Sequence, residues 1–346
     1  MPSLDTKQLK AQLKEEKFER SYFIYGEEDY LKHYYSELIA SKCVTSGMEG
    51  FNLKRFDYSQ GSTFEEVRAA SETLPAFGGY ACFLDKYYTL DSIYSSDKSE
   101  FDSFLKELPD STVVIFLQDT VTVDAKRSAK YKSVIAQFQK YGAEVCFDRL
   151  DVTSLTKIIM SGAAKRGCNI DRETAAYLIE TSGNDLTILQ NETDKLCNFK
   201  NGAQITKSDI DDVCVKSLEA SVFDLSRAVT KNDGKKAFSV LHKLFAEKEK
   251  PELILGTMIM AFVDMYRAKV AVSSGEKANF AASCYNYRGR EFRLRNASYD
   301  SRNISIKTLR KNLDSLNEAD KKLKIRVTDE KIILEKLLVE LLRSEQ

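Results

Sequence analysis

The run Ser21-Tyr22-Phe23-Ile24-Tyr25-Gly26-Glu27-Glu28-Asp29 reads as a strand, a single glycine and the acidic first turn of a helix. Aromatic and β-branched residues without a polar alternation suit a strand covered on both faces. The three carboxylates that follow sit favourably beside the partial positive charge of a helix N-terminus. Apolar Tyr30, Leu31, Tyr34, Tyr35, Leu38 and Ile39 then recur at helical spacing.

Outward from this unit the same alternation repeats. Strands are expected at Leu53 to Tyr58, Tyr80 to Leu84, Thr112 to Leu117 and Glu144 to Phe147. Helices are expected at Thr63 to Thr73, Ser96 to Leu108 and Arg127 to Tyr141. Strands alternating with helices of this length predict a parallel α/β sheet over residues 1–148. Beyond Asp148 the strand signals largely stop. Residues 149–216 give short amphipathic helices separated by turns at Arg166-Gly167-Cys168-Asn169 and Ser182-Gly183-Asn184-Asp185. Residues 217–346 give longer helices: Ala220 to Thr230, Lys235 to Glu247, Pro251 to Val272, Arg288 to Ser298, Ser305 to Leu316 and Lys331 to Arg343. Three domains are therefore expected, in keeping with 346 residues.

The 52 basic and 52 acidic side chains cancel, so no net charge draws the whole chain to nucleic acid or membrane. The segment Met1 to Arg20 is charged and lacks the apolar core of a secretory signal. The run Leu253 to Val263 falls short of the ~20 apolar residues a membrane helix needs. A cytoplasmic protein without membrane contact is expected. Seven cysteines, Cys43, Cys82, Cys146, Cys168, Cys197, Cys214 and Cys284, form no CxxC pair and predict buried free thiols.

Catalytic patterns are missing. A phosphate-binding loop reads GxxxxGK[ST], because glycines let backbone amides wrap the phosphates, a lysine neutralises charge and a hydroxyl holds magnesium. The loop at Tyr25 to Asp29 offers one glycine and three carboxylates, which repel a triphosphate. His33 and His242 stand far apart, and both are expected on the surface or partly buried, outside any triad or metal site. Carboxylate pairs such as Asp211-Asp212 read as solvated helix faces. No enzyme activity, cofactor or metal is expected.

The order of motifs resembles the delta subunit family of the bacterial DNA polymerase III clamp loader. Tyr22-Phe23-Ile24-Tyr25-Gly26-Glu27-Glu28 with Tyr30-Leu31 looks like that family's opening strand and loop. Leu74-Pro75-Ala76-Phe77-Gly78 before the strand at Ala81 to Leu84 is similar to its clamp-contacting segment. Gly183-Asn184-Asp185-Leu186 with Glu192, Lys195 and Leu196 resembles the lid, and Val222-Phe223-Asp224-Leu225, Leu316, Asp320, Leu323-Lys324 and Leu334-Glu335 the last domain. The resemblance implies an AAA+-like (RecA-like) parallel-sheet domain without a phosphate loop, a small helical lid and an all-α collar. It implies a subunit that binds the beta sliding clamp and holds its ring open for loading on primed DNA. ATP would be used by neighbouring gamma/tau-type subunits, beside a delta-prime-type subunit.

On that resemblance the clamp contact falls on Leu74, Pro75, Ala76 and Phe77, with Ala76 smaller than the bulky apolar residue expected there. Pro75 would end the preceding helix and Gly78-Gly79 would free the chain to turn a side chain outward. The alternative is that Phe77 packs beneath the sheet. A second candidate surface is the basic stretch that includes Arg288, Arg290, Arg293 and Arg295, interleaved with Tyr287, Phe292 and Tyr299, as a contact to DNA or to collar neighbours. An active AAA+ replication ATPase and a helical DNA-binding protein using residues 285–311 are the competing readings.

Overall fold

The computed structural model describes residues 4–86, 98–118, 128–287, 290–325 and 329–343. Arg288 and the expected helix starts at Ser96 and Arg127 lie outside these residues. The chain divides into two compact units, Met1–Arg149 and Leu150–Gln346.

The first unit is built on strands β1 (Ser21–Tyr25), β2 (Leu53–Asp57), β3 (Ala81–Lys86), β4 (Thr112–Leu117) and β5 (Ala143–Cys146). They form one sheet in the order β2-β3-β4-β1-β5, and every described pair is parallel. Every residue of β4 is buried, which is why that strand is a continuous apolar run rather than an alternating one. Strand alternation sends Tyr22, Ile24, Cys82, Leu84, Val113 and Ile115 to one face, where Tyr35 and Ile39 of the helix Asp29–Cys43 cover them. Phe23, Phe83 and Phe116 point to the other face, against Phe101 of the helix Lys98–Glu107 and Phe138 of the helix Ala129–Tyr141. There the ring of Phe116 meets Phe101 and Phe138 edge-on, with centroids 5.8 and 5.5 Å apart, the favoured aromatic geometry.

Among the described residues the second unit is helical apart from one two-residue parallel pair, β6 (Asn169–Ile170) with β7 (Gln204–Ile205), which the sequence pattern did not reveal. Two residues are too few to show a strand period. Its turns follow from cap chemistry: the side chains of Asp151, Asp171, Asp185, Ser217 and Asp233 each accept a backbone N–H from the first turn of the helix they precede. The helix expected to end at Leu316 runs as Ile306–Ile325, because Ala319 and Leu323 continue its buried stripe. Leu225, Leu241, Phe262, Leu309 and Leu337, from five helices, share one core. Proline begins the helix Pro251–Ser273 as expected. No helix among the described residues is long and apolar enough to cross a membrane.

All seven thiols are free, yet only Cys43, Cys82, Cys168 and Cys197 are buried. Cys146 and Cys214 are half-buried, and Cys284 is exposed at the last position of the short helix Ala281–Cys284, so the expectation of uniform burial is corrected.

Candidate functional site

The loop after β1 is pressed against backbone. Gly26 adopts φ 124°, and a side-chain carbon there would come within 2.2 Å of the Phe147 carbonyl oxygen. The Phe147 amide donates to the Tyr25 carbonyl at 2.8 Å, and the Glu28 amide donates to the Phe147 carbonyl at 2.9 Å. An amide that a phosphate loop would present to its ligand is thus consumed within the fold. The Lys32 side chain is almost wholly buried; its Nζ pairs with Asp29 at 2.8 Å and donates to the Gln118 carbonyl at 3.1 Å. Asp85, near the end of β3, is fully buried, and neither carboxylate oxygen has a hydrogen-bond partner among the described residues. Burial first, and then the charge of Asp57, pushes its pKa up to about 8. Among the described residues no three metal-ligating side chains gather. His33 is half-buried and His242 exposed, the latter 3.1 Å from Glu335.

The segment Leu74 to Phe77 follows the helix Phe64–Ser71, whose start is fixed by a capping box between Thr63 and Glu66. Leu74 is 77% exposed and Phe77 86%, so the packing of Phe77 beneath the sheet is excluded. Pro75 and Ala76 are half-buried. Phe77 itself has φ 59°, an uncommon conformation for a bulky side chain, and Gly78 and Gly79 continue in the left-handed region at 85° and 79°.

Two residues that the sequence did not single out complete this surface. Asn52, buried at the end of the four-residue helix Glu49–Asn52, accepts from the Ala76 amide at 2.7 Å and donates to the Ala76 carbonyl at 3.0 Å. Its neighbour Phe51 is 66% exposed and meets the Phe77 ring edge-on at 6.2 Å. A helix of one turn carries no periodic signal, so neither residue could be found from spacing.

The basic stretch does not present one cationic face. Arg290 and Arg295 are exposed. Arg293 points inward, with its guanidinium 2.9 Å from both Asp264 and Glu219 and 5.2 Å from the Phe223 ring. It therefore leaves the set of candidate DNA or collar contacts. Asp264 also accepts from the Tyr287 hydroxyl, which in turn accepts from Arg267 at 2.9 Å. Arg302 lies over Tyr299, and Arg310 donates to the Tyr266 hydroxyl at 3.0 Å.

A parallel sheet ordered β2-β3-β4-β1-β5, joined in sequence to a helical unit, defines an AAA+-like, RecA-like architecture. The solved Bacillus subtilis DNA clamp loader delta protein shares this fold, with a TM-score of 0.62 and 22% identity over 97% of this chain and 99% of that one. Residues 219–341 match the family described as DNA polymerase III delta subunit, C-terminal domain. DNA polymerase III subunit delta of Bacillus subtilis is 23% identical over 94% of this chain and 93% of its own length. The probable DNA polymerase III subunit delta of Aquifex aeolicus is 23% identical over 81% of this chain and 79% of its own. The chain is thus similar to DNA polymerase III delta subunits over nearly its whole length, and to that family's C-terminal domain over residues 219–341.

Proposed function

We propose that this chain is a clamp-loader delta subunit that binds the DNA polymerase III sliding clamp through Leu74, Pro75, Ala76 and Phe77, and holds the ring open for loading on primed DNA. The observation that carries the reading is the Phe77 ring, held in solvent by a left-handed backbone. A large apolar side chain in that state gives up little internal packing on docking and gains what a partner pocket supplies. For a phenylalanine this is about 2 to 3 kcal/mol, the scale of an interface hot spot.

Catalysis is absent from the proposed role. The carboxylates at Glu27 to Asp29, the inward-turned Lys32 and the occupied Glu28 amide all oppose triphosphate binding. ATP hydrolysis then falls to gamma/tau-type subunits in a cytoplasmic assembly that also holds a delta-prime-type subunit. Within this chain we divide the work among an α/β clamp-binding domain (1–148), a lid (149–216) and a collar (217–346). The exposed Arg290 and Arg295 are available to collar neighbours or to primed DNA.

Calorimetric titration of the purified chain with its cognate sliding clamp tests the reading. Phe77→Ala is expected to weaken binding by at least about tenfold while the melting temperature stays unchanged. ATP with magnesium is expected to leave both affinities where they were. An unaltered affinity in the variant, or a nucleotide-dependent one in the parent, sinks the proposal.

A further inference from the structure

The exposed ring of Phe77 raises the question of what keeps it out. Left-handed backbone at a bulky residue is strained and persists only where its surroundings impose it. Gly78 and Gly79 make the following turn possible without imposing it, since glycine accepts many conformations equally well. Pro75 fixes its own φ but lies two residues before the turn. The constraint that bears directly on the residue before Phe77 is the Asn52 side chain. Its carboxamide oxygen accepts from the Ala76 amide at 2.7 Å, and its nitrogen donates to the Ala76 carbonyl at 3.0 Å. One planar amide thus pairs with both polar groups of a single residue, as a neighbouring strand would, and fixes the orientation of both peptide planes around Ala76. Asn52 is only 3% exposed, so water does not compete easily for these bonds. The same helix also sets Phe51 edge-on against the Phe77 ring.

We infer that Asn52 is a positioning residue for clamp binding: it clasps Ala76 so that the backbone must turn left-handed at Phe77 and deliver the ring outward. This rests on the docking role proposed above for Phe77. Asn52 makes no contact with the clamp itself. Its effect passes through the ring that it presents, by removing the conformational freedom that binding would otherwise have to freeze.

The test is a double-mutant cycle with the cognate sliding clamp, using the full-length chain. Loss of two part-buried hydrogen bonds predicts that Asn52→Ala weakens binding by about tenfold in the parent chain. In the Phe77→Ala background the same substitution is expected to change affinity by less than about twofold, because a residue acting through Phe77 has nothing left to position. Amide hydrogen exchange at Ala76, measured without clamp, is expected to quicken in Asn52→Ala. Melting temperature serves as the control for folding.

Equal losses in both backgrounds, or no loss in Asn52→Ala beside a clear loss in Phe77→Ala, overturn the positioning role and leave the docking reading standing. Undiminished affinity in Phe77→Ala overturns the docking reading and this inference with it.

Discussion

Asp85 is a carboxyl group kept where a carboxylate is disfavoured. It lies on β3 opposite Phe116 of β4, fully buried, with neither oxygen hydrogen-bonded among the described residues. Its pKa of about 8 stands well above the ordinary value, so near pH 7 the folded chain holds a proton there that the unfolded chain has released. Stability from this group is complete below the unfolded pKa near 4 and is lost as pH rises through 8. Asp85→Asn removes the titration. Its stability relative to the parent should climb between pH 4 and pH 8 and level off above, by roughly 5 to 6 kcal/mol across the range. Urea unfolding at a series of pH values measures this, and a difference independent of pH refutes it. Gly26 shows the opposite kind of constraint, because its role is to have no side chain beside Phe147. That glycine could be read from the sequence as a turn; the buried state of Asp85 could not, since a polar residue at a strand end usually reaches water.

At the scale of elements, legibility followed how many residues carried the signal. β4 could be bounded residue for residue because both of its faces are covered and all six of its residues say so. The turn at Ser182 to Asp185 was legible for a similar reason: the Asp185 side chain acts on backbone three positions away. The basic stretch misled because charge was counted without phase. On the helix Phe292–Asp300, residues 293 and 295 lie about 200° apart around the axis, so one is driven into the core as the other meets solvent. Asn52 was illegible for another reason, since its partner Ala76 is 24 residues away. The inward position of Arg293 yields a prediction for the helix. Arg293→Ala leaves Asp264 buried without its ion-pair partner, at an expected loss of about 3 to 5 kcal/mol in urea unfolding, whereas Arg295→Ala should change stability by under about 0.5 kcal/mol. Similar losses in the two variants contradict the inward assignment.

At the scale of the molecule, each of the two units has its own large hydrophobic clusters among the described residues. Among the described residues, the clusters on the two faces of the sheet draw on residues up to Phe147, and the helical cluster on residues from Leu218 onward. A unit that buries its own core does not depend on the other for the bulk of its hydrophobic stabilisation. Leu74, Phe77, Phe51 and Asn52 all fall within Met1–Arg149. Separate expression of residues 1–149 and 150–346 should therefore give two fragments, each with a cooperative thermal transition. Residues 1–149 should bind the cognate clamp within about threefold of the full chain, because that side of the contact needs nothing from the helical unit. Residues 150–346 should show no clamp binding in the same titration. If clamp affinity resides in 150–346, or appears only when the fragments are mixed, the working surface is not the one built around Phe77.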